Sequence, residues 1–343
     1  MGNMDGDRRR SAARPTLEAV AALAGVGRGT VSRVINGSPK VSDRARDAVL
    51  EAIEQLGYVP NRAARTLVTQ RTDTVALVVS EAHQRVFDEP FFAPAIRGIG
   101  SVLSETGLQL IMAMAQTQSE HERLEHFLTG QRVDGALFVS LHGADPLPER
   151  LEQHGIPTVL GGRPVGLDPE CYVDVDNRAG ARQAVNYLVS QGRRRIATIA
   201  GSLDMGVGVD RLAGYRDALL ATGQTEIVTH GDFSEESGIA GMRRLLAEHP
   251  EVDAVFAASD PMALGVIKIL KEAGRRVPDD VAVIGFDDSR AGAHSSPALT
   301  SVHQPAEAMG RQMARLLVSR IEETPIDHPS VILDTRLVIR ESA

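Results

Sequence analysis

The stretch from Thr16 to Leu67 leaves this chain little freedom of local fold. It begins TLEAVAALAGVGRGTVSRVINGSPKVS and, after one amphipathic segment, ends QLGYVPNRAARTL. Leu17, Val20, Ala21 and Ala24 recur at the spacing of one buried helix face, and Thr16 stands where a helix cap belongs. Gly25 supplies a turn, with Val26 as an apolar peg beneath it. A second helix is expected over Arg28–Asn36, burying Val31, Val34 and Ile35. Ser42 is placed to cap a third, whose stripe is Ala45, Val49, Ala52, Ile53 and Leu56 and which Gly57 ends. Two short helices joined by a three- or four-residue turn form a unit whose second helix fits the major groove of DNA.

Charge follows the same division. Residues 1–72 carry 12 Lys/Arg against 7 Asp/Glu, a net of +5. The remaining 25 basic and 38 acidic residues give residues 73–343 a net of −13. A basic head on an acidic body is the electrostatic pattern of a chain that meets nucleic acid at one end only. The single cysteine, Cys171, excludes an internal disulfide framework and reads as a small buried hydrophobe. Arg8-Arg9-Arg10 has no apolar run after it, and no stretch reaches the ~18 apolar residues of a membrane span. A cytoplasmic protein without membrane partners is expected, with residues 1–14 a disordered tail.

After Thr72 the pattern becomes α/β. Apolar strands are expected at 74–80, 108–115, 135–140 and 156–162, with helices at 94–105 and 119–129 between the earlier ones. The series then restarts. Helices at 178–191, after Asp210, at 235–248 and at 261–273 alternate with strands at 195–201, 226–229, 253–259 and 281–287. A helix at 305–323 and one strand at 331–340 close the chain. Near-continuous apolar strands alternating with helices imply parallel sheets covered on both faces, and the repeated series implies two similar lobes.

Catalytic patterns are scarce. Gly206-Val207-Gly208 is part of a dinucleotide fingerprint, but Arg211 stands at the third glycine position, so it reads as a turn into a helix. No phosphate-loop lysine or nucleophile-elbow serine motif occurs. His121 and His126 lie five apart on a polar helix and read as a solvated face. Asp287-Asp288 ends an apolar strand, a place that suits ligand binding at least as well as acid/base chemistry. No metal site or cofactor is expected, and an enzyme is the distant alternative.

The head, together with Asp176-Asn177 and Gly180, RLAGY (211–215), GDFSEESG (231–238), SDPMALG (259–265), GFDD (285–288) and PALTSVHQP (297–305), resembles the LacI family of bacterial transcription regulators over about residues 15–341. RGTVSRVINGS, FDEPFF and GGRP further resemble actinobacterial repressors that respond to cellobiose or other plant oligosaccharides. The resemblance implies a helix-turn-helix domain at 15–60, a hinge helix and linker at 61–72, and a two-lobed, periplasmic-binding-protein-like body at 73–343. Lobe 1 would hold about 73–173 and 303–327, and lobe 2 about 174–302 and 328–343, with crossings near 173, 302 and 327.

It also implies partners and sites. Operator DNA would be met by a homodimer, with Arg28 and Arg33 reading guanine edges and Gly29 at a further base-reading position. Thr16, Thr30, Ser32 and Asn36 are assigned to the DNA contact, Thr30 and Asn36 to phosphates, while Ser32 reads equally as a phosphate contact or a plain solvated helix residue. Asn61, Ala64 and Leu67 belong to the hinge, Leu67 as a minor-groove wedge. The eight residues of Asn61–Val68 are too few for a stable isolated helix, so the hinge is expected to form on DNA. A small sugar effector would lie among Phe91, Phe92, Ser140, Arg163, Arg211, Phe233, Ser259, Asp287 and Gln304. Arg163 reads equally as a structural ion pair, and Asp176 as a helix cap. Met205 and Val207 stand where purine-responsive members carry polar groups, which argues against a purine. A co-repressor-activated or global regulator with a non-sugar ligand is the nearer alternative.

Overall fold

The apolar period of the head produces three helices whose faces meet in one small core. In the computed structural model, which describes residues 15–35, 38–59, 71–81, 83–130, 132–166 and 169–343, these are α1 (Leu17–Ala24), α2 (Arg28–Ile35) and α3 (Asp43–Leu56). Val20, Ala21, Val31, Val34, Val49, Ala52 and Tyr58 are buried together. Thr16 Oγ1 accepts from the Ala19 amide at 3.3 Å, and Gly25 ends α1 at φ 66°, in the left-handed region that favours glycine. Ser42 holds the cap position of α3 in an extended conformation, but its side chain makes no cap hydrogen bond. The expected tail at 1–14, Asn36 and the hinge segment 61–68, with Asn61, Ala64 and Leu67, lie outside the described residues.

The chain divides at Thr72/Asp73, and the body forms a unit of its own. Its first half runs β1 (Thr74–Val79), α4 (His83–Asp88), α5 (Phe92–Leu103), β2 (Gln109–Met114), α6 (Gln118–Thr129), β3 (Gly135–Val139), α7 (Leu147–Gln153), β4 (Thr158–Gly161) and β5 (Tyr172–Val175). The second half runs α8 (Asn177–Ser190), β6 (Ile196–Ala200), α9 (Gly206–Leu220), β7 (Ile227–His230), α10 (Glu235–Glu248), β8 (Ala254–Ala257), α11 (Asp260–Glu272), β9 (Ala282–Phe286), α12 (Arg290–Ala293) and β10 (Thr300–His303). The chain closes with α13 (Ala306–Ile321), β11 (Ser330–Leu333) and β12 (Arg336–Val338).

Two six-stranded sheets result, in the orders β11-β5-β4-β3-β1-β2 and β12-β10-β9-β8-β6-β7. All pairs are parallel except β10 with β12. Alternate residues of one strand feed opposite cores. Val75, Leu77 and Val79 of β1 pack with residues of α5 and α13, whereas Ala76 and Val78 pack on the other face. This is why the strands read as continuous apolar runs.

The chain passes between lobes at Asp176, at Gln304–Pro305 and at Asp334–Thr335. The third crossing therefore lies beyond the expected 327, and the single strand expected at 331–340 is two strands. Ser330–Leu333 pairs with β5 of the first sheet, and Arg336–Val338 pairs antiparallel with β10 of the second. Both halves are edge strands, and exposed and half-buried residues alternate without interruption from Ser330 to Leu337, so the sheet change leaves no break in the period.

Candidate functional site

The carboxyl ends of the strands of both lobes converge on one cleft, where parallel sheets of this kind bind ligands. Glu81 follows β1, Ser140 follows β3, Arg163 follows β4, Ser259 follows β8, Asp287 follows β9 and Gln304 follows β10, and all line the pocket. Loops rather than helices supply these groups because each strand must turn sharply there. Ser140, Phe233 and Asp287 have φ of 58°, 74° and 112°, a region side-chain-bearing residues rarely occupy.

The polar centre is Arg211, on the second turn of α9 and almost wholly buried. Its Nε donates to Asn177 Oδ1 at 2.9 Å and its Nη1 to the Ala258 carbonyl at 2.6 Å. The guanidinium lies 3.6 Å from the centre of the Phe286 ring and 5.9 Å from that of Phe233. Asp287 Oδ1 stands 3.7 Å from Arg211 Nη1 and accepts from Gln304 Nε2. Burial pushes the Asp287 carboxyl above the ordinary carboxylate range, against the pull of Arg211. Burial likewise lowers the Arg211 guanidinium, although arginine stays charged. Desolvation thus outweighs attraction for both partners, and hydroxyl groups placed against them would restore lost solvation.

Asp260, buried at the start of α11, holds the loop that carries Asp287. It accepts from the Ser289 amide at 2.6 Å and from Ser301 Oγ at 2.5 Å. The Asp287 amide donates to the Val302 carbonyl at 2.8 Å. Asp288 turns away from the pocket to His303 Nδ1, at 3.0 Å, and to Arg340. Asp176 caps α8, accepting from the Ala179 amide at 2.8 Å.

Phe91, Phe233, Met205, Val207 and Pro261 supply the apolar walls. Phe92 does not line this pocket. It is fully buried in the first-lobe core and meets Phe91 edge-on at 5.5 Å. It is the first residue of α5, and the helical rotation of about 100° per residue separates neighbouring side chains. Ser259 reaches the pocket mainly through others: its Oγ donates to the Phe233 carbonyl at 2.8 Å and caps α11. Ser140 Oγ donates to Glu81 at 3.0 Å. Arg163 forms the ion pair that competed with a ligand contact, to Asp174 at 2.9 Å and Asp210 at 2.6 Å.

Sequence reasoning missed Glu81, Glu89 and Asp174 as lining groups. Arg85 pairs with Glu89 at 2.7 Å and Glu81 at 3.2 Å. Burial raises Glu89 while Arg85 opposes the shift. His121 also departs from the expected solvated face. Its Nε2 lies 3.0 Å from the Ala115 carbonyl and its Nδ1 3.5 Å from Asp145. Cys171 is buried in the first-lobe core. Among the described residues, no group of three or more His, Cys, Asp or Glu is placed to hold a metal ion, and no helix is long and apolar enough to cross a membrane.

In the head, α2 turns Val31 and Val34 inward and leaves Arg28, Gly29 and Arg33 exposed, with Thr30 and Ser32 half-buried. Arg28 is paired with Glu18 of α1 at 3.1 Å, yet both remain more than half exposed, so the pair is weak and the guanidinium is available. A Cβ added at Gly29 would meet nothing, so a base or phosphate can approach the backbone there.

Comparison with known proteins follows the same division. The profile of bacterial regulatory proteins, lacI family, matches residues 16–61, and that of a periplasmic binding protein-like domain matches residues 185–343. The HTH-type transcriptional regulator CelR of Thermobifida fusca is 58% identical over 341 residues, 98% of this chain and 99% of that protein. A solved transcriptional regulator CelR-cellobiose complex is 56% identical, with a TM-score of 0.78, over 96% of this chain and 100% of the other. The lac repressor dimer bound to operator and the anti-inducer ONPF is 27% identical, with a TM-score of 0.84, over 96% and 99%.

Proposed function

The chain belongs to the LacI family of bacterial regulatory proteins, and from that premise we propose a homodimeric repressor released from its operator by cellobiose or a related plant oligosaccharide. Like its relatives it is a transcriptional regulator and not an enzyme. A regulator that reads chromosomal DNA works in the bacterial cytoplasm.

The observation that carries the reading is the pairing of Arg211 and Asp287 with aromatic walls in one cleft. A pyranose ring has apolar faces and a polar rim. Phe91, Phe233 and Met205 suit the faces. The guanidinium and carboxylate can each bond two adjacent hydroxyls on the rim. The cellobiose bound by a relative of 56% identity is a sugar of this kind.

On DNA, Arg28 and Arg33 would read base edges while Thr16, Thr30, Ser32 and Asn36 set register. Asn61, Ala64 and Leu67 would form the hinge, with Leu67 unstacking a base step from the minor groove. Sugar binding favours a closed body, and release requires that the closed body bind operator less tightly.

Calorimetric titration with cellobiose, cellotriose, lactose, maltose and glucose tests the effector. The expected result is saturable binding of cellobiose, one per chain, with the sugar recovered unaltered. No binding across the panel by protein that still holds its operator would overturn the sugar assignment.

A further inference from the structure

Three side chains of the first lobe reach across the cleft rim to acceptors of the second. Arg85 donates to the Asp232 carbonyl, Arg163 to Asp210 at 2.6 Å, and His142 to Asp204 at 2.8 Å. The Gly143 amide also donates to the Asp204 carbonyl at 2.8 Å. Every donor comes from lobe 1 and every acceptor from lobe 2. Two of the three donors are arginines, charged at any pH the protein meets. His142 is the exception.

The two ring nitrogens of His142 each face a carboxylate. Nδ1 lies 2.8 Å from Asp204 Oδ2, and Nε2 lies 3.0 Å from Glu81 Oε1. A neutral imidazole has one N–H and can serve only one of them, so both bonds call for the imidazolium. Glu81 also accepts from Ser140 Oγ at 3.0 Å and pairs with Arg85 at 3.2 Å. The charged groups around the ring are thus Glu81 after β1, Asp204 before α9, and Arg85 of α4 behind Glu81. His142 does not line the pocket and so acts through the lobes rather than on the ligand.

We propose that His142 is a positioning residue for effector-driven closure: as the imidazolium it ties Glu81 of lobe 1 to Asp204 of lobe 2, so that closing the body over its ligand takes up a proton. The proposal rests on the reading of the cleft as an effector site.

Opening withdraws Asp204 and leaves Glu81 in place, so the closed body holds the proton more tightly than the open one. In the closed geometry the Glu81 hydrogen bond, against burial and with help from Asp204, pushes His142 up to about 9. The raised group favours closure fully below its open-state value. That contribution is lost as pH rises through the closed-state value. Asp204 is 55% exposed, so solvent screens the contact and the effect on affinity is roughly two- to fivefold.

The test is calorimetric titration of the full chain with cellobiose at pH 7 and pH 8.5, in buffers of differing ionisation enthalpy, for wild type, His142→Gln and Asp204→Asn. Labelling histidine at Cε1 follows the His142 titration by NMR in the same samples, with and without sugar. Wild type should take up protons on binding at pH 8.5. Both variants should lose that uptake and bind roughly two- to fivefold more weakly at pH 7. The His142 signal should titrate above its ordinary value of about 6.5 and fall in Asp204→Asn. Equal proton uptake in all three proteins would overturn the proposal. If cellobiose gives no heat with any of them, the sugar reading fails separately. The proposal is then decided by the histidine signal in samples holding whichever of cellotriose, lactose, maltose or glucose gives heat: a lower titration in Asp204→Asn than in wild type upholds it, and an unchanged one overturns it.

Discussion

The guanidinium of Arg211 lies face-on to the ring of Phe286, 3.6 Å from its centre, with Asp287 beside it at 3.7 Å. The stack fixes the plane of the fork, and the fork fixes which way its remaining donors point. Phe286 ends β9 and Asp287 is the next residue, so one strand supplies both the platform and the counter-charge.

Arg211→Lys should therefore fail as a replacement. It keeps a charge but loses the stack and the planar fork. Losing a charge-assisted anchor costs about 1.5–3 kcal/mol, or roughly 10- to 100-fold in sugar affinity. Operator binding without sugar should be retained. Calorimetry and a gel shift on one preparation check both. Undiminished sugar affinity would remove Arg211 from the site.

Gly206 tests closure by shape rather than charge. A Cβ built on this first residue of α9 would lie 2.0 Å from the Arg163 carbonyl of the opposite lobe. Moving the two lobes apart at this point would relieve the conflict. Gly206→Ala should weaken sugar binding more than about tenfold, at least ~1.4 kcal/mol, while thermal unfolding without sugar changes little. In cells the variant should repress and resist induction. Normal induction would mean that the lobes do not approach this closely when the sugar binds.

Much of this arrangement is readable from local patterns. Phe233, Asp287 and Gln304 sit in short motifs just after strands, Arg211 sits in the RLAGY motif of the helix that follows β6, and strand ends in a parallel sheet point to the ligand cleft. Phe91 and Phe92 could not be separated in the same way. Both follow Pro90, and only the start of α5 decides which one turns into the core. Glu81, His142 and Asp204 carry no pattern at all. They lie about sixty residues apart in sequence, 61 between Glu81 and His142 and 62 between His142 and Asp204, and tertiary folding alone brings them together. The final sheet change at Asp334–Thr335 was hidden for a related reason, since strand period says nothing about which sheet a strand joins.

Ser342 offers a stability test remote from both functions. It is fully buried, donates to the Val283 carbonyl at 2.6 Å and accepts from the Thr300 amide at 2.8 Å, which ties the end of the chain under β9 and β10. Ser342→Ala leaves a buried amide without its acceptor and should cost about 1–3 kcal/mol. A lower urea midpoint with unchanged operator specificity is the expected outcome. An unchanged midpoint would show that the contact contributes little in solution.

On the DNA side, Arg28→Ala and Arg33→Ala should each cost about 1–3 kcal/mol on the cognate operator and relax preference at one base step. Affinity for operator should also fall steeply with salt, as phosphate contacts by a basic head require. Fluorescence anisotropy with single-base operator variants reads both effects. If neither substitution alters sequence preference, α2 is not the reading helix.

One small neutral sugar, held in the body, is expected to control the grip of the head on DNA. The most direct measurement of that control is the anisotropy of labelled operator bound by the full chain during addition of cellobiose, with the Arg211→Ala protein run alongside. Stepwise release of operator from wild type, with Arg211→Ala remaining bound at the same sugar concentrations, is the predicted result. Cellobiose that binds the body yet leaves operator affinity unchanged or strengthened would contradict it.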